Sequence, residues 1–250
     1  MQFKKAIKEI LLPTMEREGF VLIDSTTAYY EFGMSDDSIR VVVDKSPWPP
    51  SELRVHLHFR NYHRRFSGFD LNQLTEYKAL DLFYTNQEEL EVCLAKIGEC
   101  METHVITLLM HIRDNHVFHS NSMTTALSVN PEKQAVIFAN GHSLNMRFEL
   151  TNFLFAESWI ATVRGDIMSK WRLNFDKNTD DIVNLISYYG ELLRKKDSQQ
   201  AKWNWAGDNS YGLEYDEGWR YPISDVIDYW NYGQFIPAFR LVPPALRSVP

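Results

Sequence analysis

Cysteine is scarce in this chain. Only Cys93 and Cys100 occur in 250 residues, seven positions apart in a stretch of helical pattern. A rise of about 1.5 Å per residue sets their backbones roughly 10 Å apart, beyond disulfide reach. A disulfide-stapled fold is therefore excluded, and a reducing compartment is expected. Long apolar runs are missing too. No stretch approaches the roughly 18 residues needed to span a bilayer, and the opening MQFKKAIKEILLPTMEREGF carries charges throughout instead of the apolar centre of a signal peptide. Positive charge is short, with 26 Lys and Arg against 33 Asp and Glu, a net −7 and a pI near 5.6. Phosphate backbones call for a basic face, so nucleic acid is disfavoured as a general partner, and no membrane partner is expected. GXSXG, P-loop, GXGXXG and HEXXH are all absent, so no recognised motif announces a catalytic residue, a metal site or a cofactor, and none is expected. Together these absences predict a cytoplasmic chain and weigh against an enzyme.

What is present builds a core: 44% of residues are hydrophobic and 14% aromatic, enough for one large domain or two small ones. Phe3, Ile7, Ile10 and Leu11 share a helical face, interrupted at Pro13 and ended by Gly19. Strands are expected at Phe20 to Ile23, Ala28 to Phe32, Ile39 to Asp44 and Leu53 to Arg60, with turn residues between them. The last alternates cleanly, Leu53, Val55, Leu57 and Phe59 on one face against Arg54, His56, His58 and Arg60 on the other. A long helix follows from Gln87 to about Asp114, capped at Asn86 or Thr85, with Glu88 and Glu89 in its first turn. Its apolar stripe runs Leu90, Leu94, Ile97, Met101, Val105, Leu108, Ile112, placed to cover the sheet.

The Ser-, Asn- and Thr-rich stretch from His119 to Thr125 suits a linker, dividing the chain into units 1–118 and 119–250. Beyond it, AVIFANGHSLNMRFEL predicts a hairpin with Asn140-Gly141 in the loop, and Trp159 through Phe175 predicts a second. Asn178 starts a helix reaching about Lys196, with Ile182, Leu185, Ile186, Tyr189 and Leu193 inward. The expected class is α+β, with antiparallel sheets each covered by a long helix, in a pattern compatible with two tandem α+β units.

LLPTMEREGF, the strands YYEF and VVVDKS, and the closing YTNQEELEVCLAKIGECMETHV together resemble a small bacterial domain of unknown function, some of whose members look like immunity proteins of toxin systems. The resemblance covers residues 1–115. It implies a helix ending in Gly-Phe and a long helix after a Glu-rich cap, and it transfers no catalytic residue.

Three groups of residues could carry chemistry. Arg54, His56, His58 and Arg60 share a strand face, with His63, Arg64 and Arg65 close behind, and could bind an anion or a metal; the plain reading is a solvated sheet face. His104 and His111 flank the long helix's stripe, with His116 and His119 beyond its end, where boundary packing competes with ligation. Glu76-Tyr77-Lys78 matches the Glu-X-Lys of metal-dependent nucleases in letters, but LNQLTEYKALDLF has helical spacing.

The richest stretch is 201–230. It holds Trp203, Trp205, Trp219 and Trp230, with Tyr211, Tyr215, Tyr221 and Tyr229 between them, and acids at Asp208, Glu214, Asp216, Glu217, Asp225 and Asp228, opposed only by Lys202 and Arg220. Large aromatics with a polar handle are enriched at interface centres, and surrounding acids steer a basic partner. The plain alternative is an irregular, loop-rich segment whose indoles cap the core. The expected function is a non-enzymatic protein-binding module, immunity-like or acting in defence or counter-defence. It would sequester a basic protein through Trp203, Trp205, Asp216, Glu217, Trp219 and Tyr221. The competing expectations are a metal-dependent phosphodiesterase or nuclease using the histidines, and a carbohydrate or nucleotide binder using the tryptophans.

Overall fold

The computed structural model describes residues 2–46, 51–60, 66–74, 80–166, 169–196, 201–207, 209–233, 236 and 239–247, with backbone alone at 60 and 66–69. The fold is α+β, and the chain divides into two compact units, Met1–Asp114 and Asn115–Pro250.

The first unit opens with helix α1, residues 3–17, whose middle turn, Ile7–Leu11, is a π-turn: the N–H of Leu12 bonds back to the carbonyl of Ile7. Pro13 lies just beyond and can donate nothing to the ladder, so the wider turn falls where a regular bond is missing. Gly19 then turns the chain at φ +84°, a conformation that costs glycine little. Strands β1 (Phe20–Ser25), β2 (Tyr29–Met34), β3 (Ile39–Lys45), β4 (Ser51–Arg60) and β5 (Phe66–Asp70) pair antiparallel in that order, and β6 (Phe83–Tyr84) adds to the far end of β4. Tyr30, Phe32, Val41, Val43, Val55 and Leu57 are buried on one face, as period-2 alternation requires. Phe3 of α1 meets Tyr30 edge-on at 5.7 Å.

Helix α2, residues 87–115, starts where Asn86 accepts from the N–H of Glu89 and contains a second π-turn, Met101–Val105. That turn inserts one extra residue, so the stripe advances by one position: Leu109 is fully buried where the spacing had pointed to Leu108. Among the described residues, the segment expected as helix around Leu71 holds a single 3-10 turn, Leu71–Gln73. Glu76, Tyr77 and Lys78 lie outside the described residues, as do His63, Arg64 and Arg65.

In the second unit neither expected hairpin forms among the described residues, and the chain from Leu144 to Glu149 is irregular. Helix α4 (Pro131–Gly141) precedes that chain, and α5 (Leu150–Arg164) and α6 (Trp171–Lys177) replace the second hairpin. Local start signals outweigh the short alternations: Asn130 accepts from the N–H of Lys133 at 2.9 Å and Pro131 sits in the first turn of α4, the positions these residues favour. In α5 the buried Phe153, Ala156, Glu157, Ile160 and Arg164 recur at helical, not strand, period. The expected linker also folds. Ser120 caps α3 (Asn121–Val129), accepting from Met123 at 3.3 Å. Helix α7 (Thr179–Arg194) matches its expectation and is buried on most sides from Ile182 to Leu193. The stretch expected to be loop-rich forms a three-stranded antiparallel sheet, β7 (Lys202–Trp205), β8 (Tyr211–Tyr215) and β9 (Gly218–Arg220), then α8 (Pro222–Tyr232), with a short α9 (Pro244–Arg247) after it.

Candidate functional site

Register divides the aromatic, acidic stretch between two faces of the small sheet. Trp203 lies beside Leu213 and Arg220, and Trp205 beside Tyr211; these share the face that holds the fully buried Leu213. Lys202 lies beside Glu214, which lies beside Trp219, and these occupy the opposite face. Trp205 and Trp219 therefore look in opposite directions.

Trp203 is an anchor. Its Nε1–H donates to Glu191 Oε1 at 2.8 Å, its ring stacks on Tyr211 with centroids 5.6 Å apart and planes 9° apart, and its edge lies over Gly190, where a Cβ would overlap Cζ2 and Cη2. Glu191 is 2% exposed, and its other oxygen accepts from Arg194 Nη2 at 2.8 Å and Nε at 3.1 Å. The buried charge is thus met on both oxygens, which burial of a carboxylate demands.

The second anchor lies under β9. Arg220 Nε donates to Asp225 Oδ2 at 3.0 Å, Tyr189 OH donates to the same oxygen at 3.0 Å, and Arg220 Nη2 reaches the Tyr189 hydroxyl at 3.1 Å. Burial, then the Asp225 charge, pushes the Tyr189 phenol far above its ordinary range. Arg220 is consequently spent inside the fold. Burial, with the Asp225 charge second, also raises the Asp228 carboxyl to about 6.

The outward face carries what remains. The rings of Trp219 and Tyr221 lie parallel, 9° apart with centroids 6.2 Å apart, and Tyr221 rests over Gly212, where a Cβ would meet its Cδ1 at 2.9 Å and the Arg220 carbonyl at 2.5 Å. Asn204 Nδ2 donates to Glu214 Oε2 at 2.8 Å alongside. Asp216 and Glu217 form the exposed turn between β8 and β9 and make no ion pair among the described residues. Trp219 is 37% exposed, and on the other face Trp205 is 43% exposed, its ring edge-on to Tyr211 at 5.2 Å. Trp230, fully buried, packs on Phe175 at 5.1 Å, and Asp208 lies outside the described residues.

The histidines occupy separate settings. His56 sits between two carboxylates, Nδ1 2.5 Å from Asp70 Oδ1 and Nε2 3.2 Å from Asp44 Oδ2, so both ring nitrogens are engaged. Burial, then the neighbouring His56 charge, lowers the pKa of His58. Arg54 lies 3.4 Å from Glu52, and the side chain of Arg60 is outside the description. His104 is exposed on α2 and His111 is half-buried there. His116, in the second unit, faces the Tyr232 hydroxyl at 2.7 Å, and burial drops its pKa to about 4. Among the described residues no three His, Cys, Asp or Glu side chains converge on a position that could hold a metal ion, and no helix is long and apolar enough to cross a membrane.

Sequence reasoning missed Glu191 and Gly190, and it named Tyr189, Asp225 and Arg220 without their mutual bonding. Nothing local marks these roles, because each is defined by a partner from another element; Glu191 alone offered a signal, an acid breaking the apolar face of a strongly amphipathic helix. No family model matches this chain, and no curated protein or solved structure matches it.

Proposed function

We propose that the chain is a non-enzymatic binding module that sequesters a basic protein, in an immunity-like role of defence or counter-defence, through the outward face of β7–β9. The observation that carries this reading is Trp219, 37% exposed and braced by Tyr221, beside Asp216 and Glu217, which pair with no cation among the described residues. A large aromatic held rigid on a sheet loses little side-chain entropy when it docks, and rim acids speed encounter with a cationic surface. The sheet beneath is fixed by Glu191 and Asp225, so the face is presented ready-made. Trp203 belongs to the anchor and Trp205 to the opposite face, which leaves Trp219, Tyr221, Asp216 and Glu217 as the docking set. The metal-hydrolase reading has less support, since His56 is held by Asp44 and Asp70 and His116 by Tyr232. A cytoplasmic setting belongs to the same proposal, supported by the free thiols of Cys93 and Cys100.

The test is quantitative capture from cell extract with the wild type, Trp219→Ala and Asp216→Lys/Glu217→Lys, followed by reconstitution with the purified partner. A basic protein retained by the wild type and lost by both variants is expected. Retention that is equal across all three, or of acidic proteins only, would overturn the assignment.

A further inference from the structure

The first unit holds a feature that the sheet of the second does not involve. A cavity of about 590 Å³ opens between the start of α1, the β1–β2 turn and the end of β3, lined by Lys4, Lys5, Lys8 and Lys45 with Phe3 and Thr27. Glu9 is the one acid among the described lining residues, and it pairs with Lys5 at 3.9 Å, with both groups well exposed. Three more lysines than acids thus converge in a chain of net charge −7. Lys4 and Lys8 are four apart on one helix face, a like-charge spacing that works against the helix. Lys45 reaches in from β3 with its ammonium 5.8 Å from the Phe3 ring centroid. Among the described residues Lys4, Lys8 and Lys45 have no acid partner.

We infer that this cavity binds an organic diphosphate of nucleotide size. Its volume falls in the range that holds such ligands, roughly 300–1,000 Å³. Ammonium groups act as point charges toward phosphate oxygens, and several arriving from two elements suit a multiply charged group better than a single carboxylate. The aliphatic lysine stems and Phe3 supply an apolar floor for the body of the molecule. The site is independent of the docking face proposed above.

Titration of the full chain with ADP, AMP and inorganic pyrophosphate, followed by amide chemical shifts at low ionic strength, tests this. ADP is expected to move the amides of residues 2–9, 26–28 and 45 and to bind more tightly than either AMP or pyrophosphate. Lys4→Gln/Lys8→Gln should weaken ADP by about tenfold and Lys45→Gln by about threefold, the scale of exposed charge pairs, whereas Lys96→Gln should bind as the wild type does. These lysines are at the surface, so all variants should fold. Shifts scattered over lysines elsewhere, pyrophosphate binding as well as ADP, or sedimentation with phosphatidylserine vesicles that excess ADP does not relieve would each overturn the inference.

Discussion

Gly190→Ala offers a sharp check on how the docking sheet is held, because two effects of opposite sign compete at one atom. Gly190 lies inside helix α7, where alanine is intrinsically favoured by about 1 kcal/mol. The added methyl would overlap the Trp203 ring and approach Pro222 Cγ at 3.2 Å, whereas ordinary carbon contacts sit at roughly 3.5–4.0 Å. Trp203 must therefore move. Moving it gives up the Nε1–H bond to a buried carboxylate, about 1.5–3 kcal/mol, and the stack on Tyr211, about 0.5–1.5 kcal/mol. The net expectation is destabilisation of the second unit by about 1–3.5 kcal/mol, measured by urea unfolding, with loss of hydrogen-exchange protection in β7. A variant as stable as the wild type, or more so, would refute the reasoning, since it would mean the indole does not occupy that position.

Further outcomes follow from other groups. Glu157, 5% exposed, accepts from the N–H groups of Leu241 and Val242 and from Arg240; Glu157→Ala should cost about 3 kcal/mol and expose residues 239–247 to limited proteolysis, and an unchanged cleavage pattern would reject that latch. His116 and Asp228 should give opposing pH dependences. The depressed pKa of His116, about 4, means the unfolded chain takes up the proton first, so stability is lost as pH falls from about 6.5 towards 4. The raised pKa of Asp228, about 6, means the folded chain takes it up first, so stability is gained as pH falls from about 6 towards 4. Each is worth about 3 kcal/mol, so the two nearly cancel. Relative to the wild type, Asp228→Asn should lose stability over that fall and His116→Gln should gain it; parallel pH profiles for all three would contradict the assignment. Metal analysis of the purified chain should find no stoichiometric divalent ion, and an ion present in the wild type but lost in His56→Ala would restore the hydrolase reading.

The four longest strands of the first sheet were legible because runs of β-branched and aromatic residues lie between strong turn signals, and Leu53 to Arg60 adds a clean alternation of apolar and polar residues. Helix α7 was legible through its inward Ile182, Leu185, Ile186 and Tyr189, although the Asn178 side chain bonds back to the Asn174 carbonyl and does not cap the helix. The misread hairpins rested on short alternations, the Leu144–Phe148 one in irregular chain and the Trp159–Val163 one inside α5, and Asn140-Gly141, a turn signal in isolation, is the end of α4. Leu109 escaped because a π-turn shifts the helical phase without altering composition. At the candidate site, composition picked out Trp219, Asp216 and Glu217, but the separation of Trp205 from Trp219 depends on strand register, which no local pattern carries. The bracketing of His56 by Asp44 and Asp70 was hidden for the same reason.

The association rate of the purified partner with the wild type and with Asp216→Lys/Glu217→Lys, followed across ionic strength, addresses the docking face most directly. Rim acids that steer a cationic protein predict a rate about tenfold lower in the double variant at low salt, with a flatter salt dependence. Identical rates and identical salt slopes would contradict the account.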